Sequence, residues 1–220
     1  MPKTVVFDLG NVLVRWNPRL LYEQLIPDSD ELEQFFETVI THDWIREQDA
    51  GRTFEQGIAI LAAQFPHYHS QIRAFWERWE EMVPGQIEGT VEILAELKER
   101  ETPLYALTNW SHETFPIARP RFPFFEWFDG IVVSGEIGLI KPDARIYHHL
   151  LERFGLAAGD CVFIDDSAAN VAGAEAVGIA GLHFHSPEKL RPASWARIQS
   201  WVMTVSKNCS SSSVSVISCS

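Results

Sequence analysis

The chain is short of cysteine, of basic charge and of long apolar runs, and each shortage closes off a class of function. Its 220 residues include three cysteines. Cys161 falls in an apolar strand pattern, whereas Cys209 and Cys219 lie in a serine-rich tail. That is no disulfide framework, so a cytoplasmic location is the expectation. Lysine and arginine total 18 against 30 acidic residues, giving a net charge of −12. No basic run offsets that balance, which argues against general binding to nucleic acid or to an anionic membrane surface. No apolar stretch approaches the ~20 residues that span a bilayer. The first apolar run is interrupted by Asp8 too early for a signal peptide.

What the chain does contain is an alternation of short apolar strands and amphipathic helices. Strand patterns occur at "TVVFDL" (4–9), "PLYALTN" (103–109), "GIVVSG" (130–135), "CVFIDD" (161–166) and "AGLHF" (180–184). Helical patterns occupy 88–100, 143–155 and 167–178, the last two closed by glycines at the expected position past the helix end. This alternation predicts βαβ units and an α/β fold, a Rossmann-like parallel sheet covered on both faces. Residues 17–83 break it. They read as helices only, "PRLLYEQLI", "SDELEQFFETVI", "TFEQGIAILAAQF" and "HSQIRAFWERWEEMV", with "THDWIREQDAGRT" (41–53) as a polar loop between them. A smaller helical domain is therefore expected over a sheet domain made of 1–16 and 84–205. Trp44, Trp76 and Trp79 fall in it and are expected mostly to pack its core. "SWARIQSWVMTV" reads as a last helix, and 206–220 as a low-complexity, disordered tail.

Ligands of open parallel sheets bind beyond the carboxyl ends of the strands. The first strand ends in Asp8, within "VVFDLGNVLV", and the second in Thr108 and Asn109. The fourth ends in Asp165 and Asp166, followed by Ser167 and Asn170, and Lys141 precedes a helix with Asp143 as its N-cap. Alone, each has a plain alternative. Asp8 with Gly10 and Asn11 serves as a turn, the paired aspartates as a helix cap, and Lys141 as a surface residue. Together they converge on one edge. Three carboxylates there, all ionised, require a cation. Oxygen-only donors without a His/Cys cluster select a hard ion such as Mg²⁺ over zinc. Magnesium typically leaves positions for substrate phosphate, which the lysine and threonine would also bind. Asp8 would then be placed to attack phosphorus.

In "FDLGNVLV", "LTNWS", "KPDARIY" and "FIDDSAAN" the chain resembles the haloacid dehalogenase superfamily of aspartate-nucleophile hydrolases, over about residues 3–185. The helical insertion resembles the cap of its subclass I, and "DLGNVL" a subgroup that includes bacterial sugar-1-phosphate phosphatases. The resemblance implies a phosphoric monoester hydrolase acting on small, sugar-phosphate-like metabolites through an aspartyl-phosphate. It implies Asp8 as nucleophile, with Asp8, the Gly10 carbonyl, Asp165 and Asp166 holding Mg²⁺ and Asn170 supporting them. Thr108 and the Asn109 backbone would hold the phosphoryl group, and Lys141 would neutralise charge on it and on Asp8. Arg46 and Trp44 are expected to meet the substrate from the 41–53 segment, and Trp110 is a further candidate for the pocket wall.

One position departs from that pattern. Most phosphatases of the superfamily carry a second aspartate two residues after the nucleophile, as acid and base, and here that position is Gly10. Loss of a positioned acid–base costs ~10²–10⁴-fold in rate. A group from the 41–53 segment, where His42, Asp43, Arg46 and Asp49 stand, is expected to supply the proton, or else the substrate has a better leaving group. The remaining alternatives are a 2-haloacid dehalogenase, disfavoured by Asp165–Asp166 and "LGNV", and a phosphate-binding protein without turnover.

Overall fold

A computed structural model describes residues 4–191. Five short strands form its centre: β1 (Thr4–Phe7), β2 (Leu104–Thr108), β3 (Gly130–Val133), β4 (Cys161–Asp165) and β5 (Ala180–His183). All pair in parallel, in the order β3-β2-β1-β4-β5. All five expected strands are present, each within two residues of its expected ends. The segments read as a last helix after Pro192 and as a disordered tail lie outside the described residues.

Alternation along each strand divides the core into two layers. Val5, Phe7, Leu104, Ala106, Val162 and Ile164 face one layer, and Val6, Leu107, Cys161 and Phe163 face the other. The first layer is covered by Ile93, Leu94 and Leu97 of α6 (Glu88–Glu99) and continues into the helical insertion. The second is covered by Ile146, Tyr147 and Leu150 of α9 (Ala144–Phe154) and by Ala174 of α10 (Ala168–Ala176). Asp143 caps α9, accepting from the Arg145 N–H, and Gly155 closes it at φ +64°.

Between β1 and α6 lie α1 (Arg19–Leu25), α2 (Ser29–Thr38), α3 (His42–Asp49), α4 (Phe54–Gln64) and α5 (His69–Glu77), then a 3₁₀ turn at Trp79–Met82. One of these corrects the sequence reading. The segment read as a polar loop forms α3 over 42–49, capped by Thr41, whose hydroxyl accepts from the Trp44 N–H. Its sequence offers only Trp44 and Ile45 as apolar residues, so the helix is held by packing. Trp44 is buried against Phe54 and Phe75, and its indole N–H donates to the Gly57 carbonyl. Gln48 is also buried, donating to the Trp44 carbonyl and accepting from Arg52. The expected stretch 130–135 likewise splits, because beyond α7 (Phe115–Ala118) the segment Ser134–Ile137 turns into a short helix, α8.

The insertion is fastened to the sheet domain at specific points. Ser134 Oγ donates to the Asp49 carbonyl at 2.6 Å and accepts from the Trp110 N–H at 2.9 Å. Glu113 accepts from the Phe54 N–H at 2.6 Å, at the start of α4. Gly51, at φ +103°, allows the chain to leave α3 with its Cα so near the Gly135 carbonyl that a side chain would crowd it at 3.1 Å. These contacts bring the carboxyl end of α3 over the carboxyl edge of the sheet.

Candidate active site

Asp8 follows β1, and its N–H donates to the Ile164 carbonyl, which extends the strand by one bond past Phe7. Asn11 (φ +51°) then reverses the chain, a left-handed turn that asparagine tolerates. Gly10 and Val14 pair across it. The Asp8 side chain is thereby left at the strand end, 6% exposed. Its Oδ1 accepts from the Leu9 N–H at 2.7 Å and lies 2.8 Å from Lys141 Nζ. Neither contact uses Oδ2.

Lys141 is almost wholly buried, and its ammonium uses all three protons. They go to Asp8 Oδ1 at 2.8 Å, to Asp165 Oδ2 at 2.7 Å and to the Leu107 carbonyl at 2.9 Å. Burial alone would lower its pKa, but Asp8 and Asp165 outweigh that and hold it raised, so the charge persists. The lysine backbone is clasped by Asn109, whose amide donates to the Lys141 carbonyl and whose Oδ1 accepts from the Lys141 N–H. Only the backbone of Asn109 is therefore available for the phosphate role expected of it. Asn170 Nδ2 donates to both oxygens of Asp165, and the Ser167 N–H donates to Oδ1.

Asp8, Asp165 and Asp166 each place an oxygen within 4.8 Å of the other two. Burial pushes the Asp8 carboxyl up to about 7; Lys141 pulls it back, while Asp165 and Asp166 push it further. Burial and Asp165 raise Asp166 as well. A single buried ammonium does not balance three carboxylates, and the donors are all hard oxygens. That chemistry fits a magnesium ion. Thr108 supplies a second sign of a missing ligand, because its Oγ1 is buried without a hydrogen-bond partner.

Over this charged floor lies a cavity of about 460 Å³, closed on the far side by the inserted helices. Asp8, Gly10, Asn109, Lys141, Asp166 and Asn170 line the floor. Much of its wall is apolar and aromatic, from Trp16, Ile45, Phe54, Phe75, Trp79 and Trp110, with Asn11, Gln48, Ser111 and Thr114 between them. Arg46 and Asp49 reach it from α3, as does His42. Trp44 does not. It points into the core of the insertion, which corrects the expectation that it meets substrate. Trp110 both packs with Phe115 and Phe125 and lines the cavity. Asp43 is exposed away from it.

Sequence reading missed three kinds of contributor. Ser134 was hidden in a strand pattern, the Leu107 carbonyl is a backbone group, and Trp16, Phe54, Phe75 and Trp79 look like any core aromatics. No local signal marks these.

Asp49 is the other unusual carboxyl. Burial pushes it up to about 7, against the opposing pull of Lys141, Arg46 and the Ser111 amide. As the last residue of α3 it also sits at the negative end of the helix dipole, which disfavours its anion.

Residues 2–178 match the haloacid dehalogenase-like hydrolase family, and the chain belongs to that family. Among curated proteins it is 30% identical over 187 residues to the sesquiterpene phosphatase astK of Aspergillus oryzae, covering 82% of this chain and 89% of that protein. It is 19% identical over 207 residues to the drimenol cyclase drtB of Aspergillus calidoustus, of which the match spans 35%. Among solved structures, a family enzyme from Bacteroides thetaiotaomicron in complex with magnesium and inorganic phosphate shares the fold. The TM-score is 0.67 at 21% identity, covering 84% of this chain and 96% of that one. Among the described residues no helix is long and apolar enough to cross a membrane.

Proposed function

We propose that this family hydrolase is a magnesium-dependent phosphatase that forms an aspartyl-phosphate on Asp8 and takes an apolar alcohol as its leaving group. The observation that carries the substrate class is the aromatic wall above the charged floor. Sugar hydroxyls facing Trp16, Phe75 and Trp79 would lack partners on that side of the cavity, and an unpaired buried polar group is costly. A terpenoid or other hydrocarbon chain would bury its surface there. The fungal relative that is a sesquiterpene phosphatase supports the same reading.

In this reading Asp8, Asp165, Asp166 and the Gly10 carbonyl hold the ion, with Asn170 fixing Asp165. Bound magnesium supplies positive charge to the phosphoryl oxygens. Asp8 Oδ2 attacks phosphorus, and Lys141 on Oδ1 keeps the carboxylate ionised and oriented. The Thr108 hydroxyl and the Asn109 backbone hold phosphoryl oxygens, and Arg46 adds positive charge at the cavity wall. Residues 17–83 act as a cap that excludes water from the reaction.

Phosphate release from terpenyl, alkyl and sugar monophosphates, with Mg²⁺ and with EDTA, tests this beside Asp8→Asn. Magnesium-dependent turnover that prefers the apolar esters and vanishes in Asp8→Asn is expected. Preference for sugar phosphates would return the leaving group to the polar class, and halide release from haloacids without metal would replace the reaction altogether.

A further inference from the structure

Gly10 leaves the site without an acid where the family pattern has one, and space does not explain its absence. A Cβ built on Gly10 meets nothing within 4 Å, and its φ is not in the left-handed region. The missing proton donor is therefore to be sought among the other groups around the cavity. His42, Arg46 and Asp49 reach it from α3. A guanidinium does not give up its proton in proteins, which sets Arg46 aside. His42 is exposed at the opposite end of α3, about 10 Å along the axis from Asp49. Asp49 is at the end fastened to the sheet domain through Ser134, and close enough to Lys141 to feel its charge. Lys141 in turn touches Asp8.

We propose that Asp49 is the general acid and base of this enzyme, delivered from the inserted helix α3 in place of the residue that Gly10 lacks. This rests on the phosphatase reading above. In the first step the Asp8 Oδ2–phosphorus bond forms and the ester P–O bond breaks. The leaving oxygen takes the proton of the Asp49 carboxyl and departs as a neutral alcohol. In the second step water attacks phosphorus, its proton passes to the Asp49 carboxylate, and the Asp8–phosphorus bond breaks. Inorganic phosphate and free Asp8 result, and Asp49 is protonated again. A carboxyl held near neutral by burial suits both directions of transfer. Fastening runs through the Asp49 carbonyl to Ser134, while the carboxyl itself meets the Ser111 amide and lines the cavity.

The test compares wild type, Asp49→Asn, Asp49→Glu and the double variant Gly10→Asp/Asp49→Asn on an alkyl phosphate and on 4-nitrophenyl phosphate, with Mg²⁺. On the alkyl ester Asp49→Asn is expected to lose about 10²–10⁴-fold in kcat. On the nitrophenyl ester, whose leaving group needs no proton, it is expected to give a fast burst of nitrophenolate, then slow turnover with trapped phosphoenzyme. Asp49→Glu and the double variant are expected to recover part of kcat. Asp49→Ser repeats the readout should the amide disturb the helix end. Equal losses on both esters without a burst, a change in KM alone, or the same pattern from His42→Ala instead would overturn the assignment. Failure of the underlying reading looks different: wild type releases no phosphate, or Asp8→Asn still does.

Discussion

The Asp49→Asn substitution also makes a prediction that needs no substrate. In the folded protein the Asp49 carboxyl is raised from an ordinary 3.8 to about 7, and that value already includes the attraction of Lys141 and Arg46. The native state therefore holds this proton more tightly than the unfolded chain does. Stability contributed by Asp49 is fully present below pH 4, falls as pH rises toward 7, and stays at its lower level beyond. Each pH unit between the two values is worth about 1.4 kcal/mol, which sets a ceiling of about 4 kcal/mol. Asp49 is only partly enclosed, so solvent screening reduces this to about 2–4 kcal/mol. Asparagine never ionises. The variant should match wild type near pH 4 and exceed it by about 2–4 kcal/mol at pH 8. Urea unfolding of both proteins in EDTA, at steps from pH 4 to 8, measures the difference. Asp8 and the other carboxylates titrate in both proteins and cancel in the comparison. A difference that does not change with pH, or a variant less stable at pH 8, would refute the reasoning. Confirmation would mean that one substitution stabilises the fold while disabling it, the trade expected when a catalytic group is held in an unfavourable environment.

Three other outcomes follow from the same contacts. Lys141→Met leaves Asp8 and Asp165 buried without their shared cation and should cost about 3–5 kcal/mol in EDTA, read from the urea midpoint; a loss below about 1 kcal/mol would contradict the three-way contact. Trp44→Ala should destabilise by about 3–5 kcal/mol because it empties the core of the insertion, while KM of the folded enzyme stays unchanged; a raised KM at unchanged stability would place the ring in the cavity after all. Ser134→Ala removes a donor to the Asp49 carbonyl and an acceptor of the Trp110 N–H, at about 1–3 kcal/mol. Faster hydrogen exchange at the carboxyl end of α3 would report it, and unchanged exchange there would mean that Gly51 and Glu113 suffice to hold the insertion down.

The sheet was legible because its strands are short runs of apolar residues that end in polar ones. Where Phe7 gives way to Asp8, and Ile164 to Asp165, the change marks both a strand end and a reactive edge. Asp8, Lys141, Asp165 and Asp166 were legible together for that reason, since parallel topology forces strand ends onto one edge. The cavity wall was not. Phe54, Phe75 and Trp79 stand at helical spacing like core residues, and they are core residues. Whether an apolar side chain packs against another or against a ligand is decided by how two domains meet, which periodicity does not encode.

The 41–53 segment shows what a missed helix costs. Read as a loop, it allowed Trp44 and Arg46 to face the substrate together. In an α-helix residues two apart are turned about 200° from each other, so if one faces the cavity the other faces away. The same geometry puts His42, Ile45, Arg46 and Asp49 on one side, at spacings of three and four. These four line the cavity, and Trp44 is buried opposite them. Helix phase thus keeps His42, Arg46 and Asp49 at the cavity and discards Asp43, which is exposed. With Asp49 as the proposed acid, a glycine can stand at position 10. An acid carried on β1's exit loop is fixed to the nucleophile, whereas one carried on α3 is in place only when the insertion is docked on the sheet through Ser134 and Glu113. On the proposed assignment of Asp49, proton transfer requires the insertion to be docked on the sheet through these contacts.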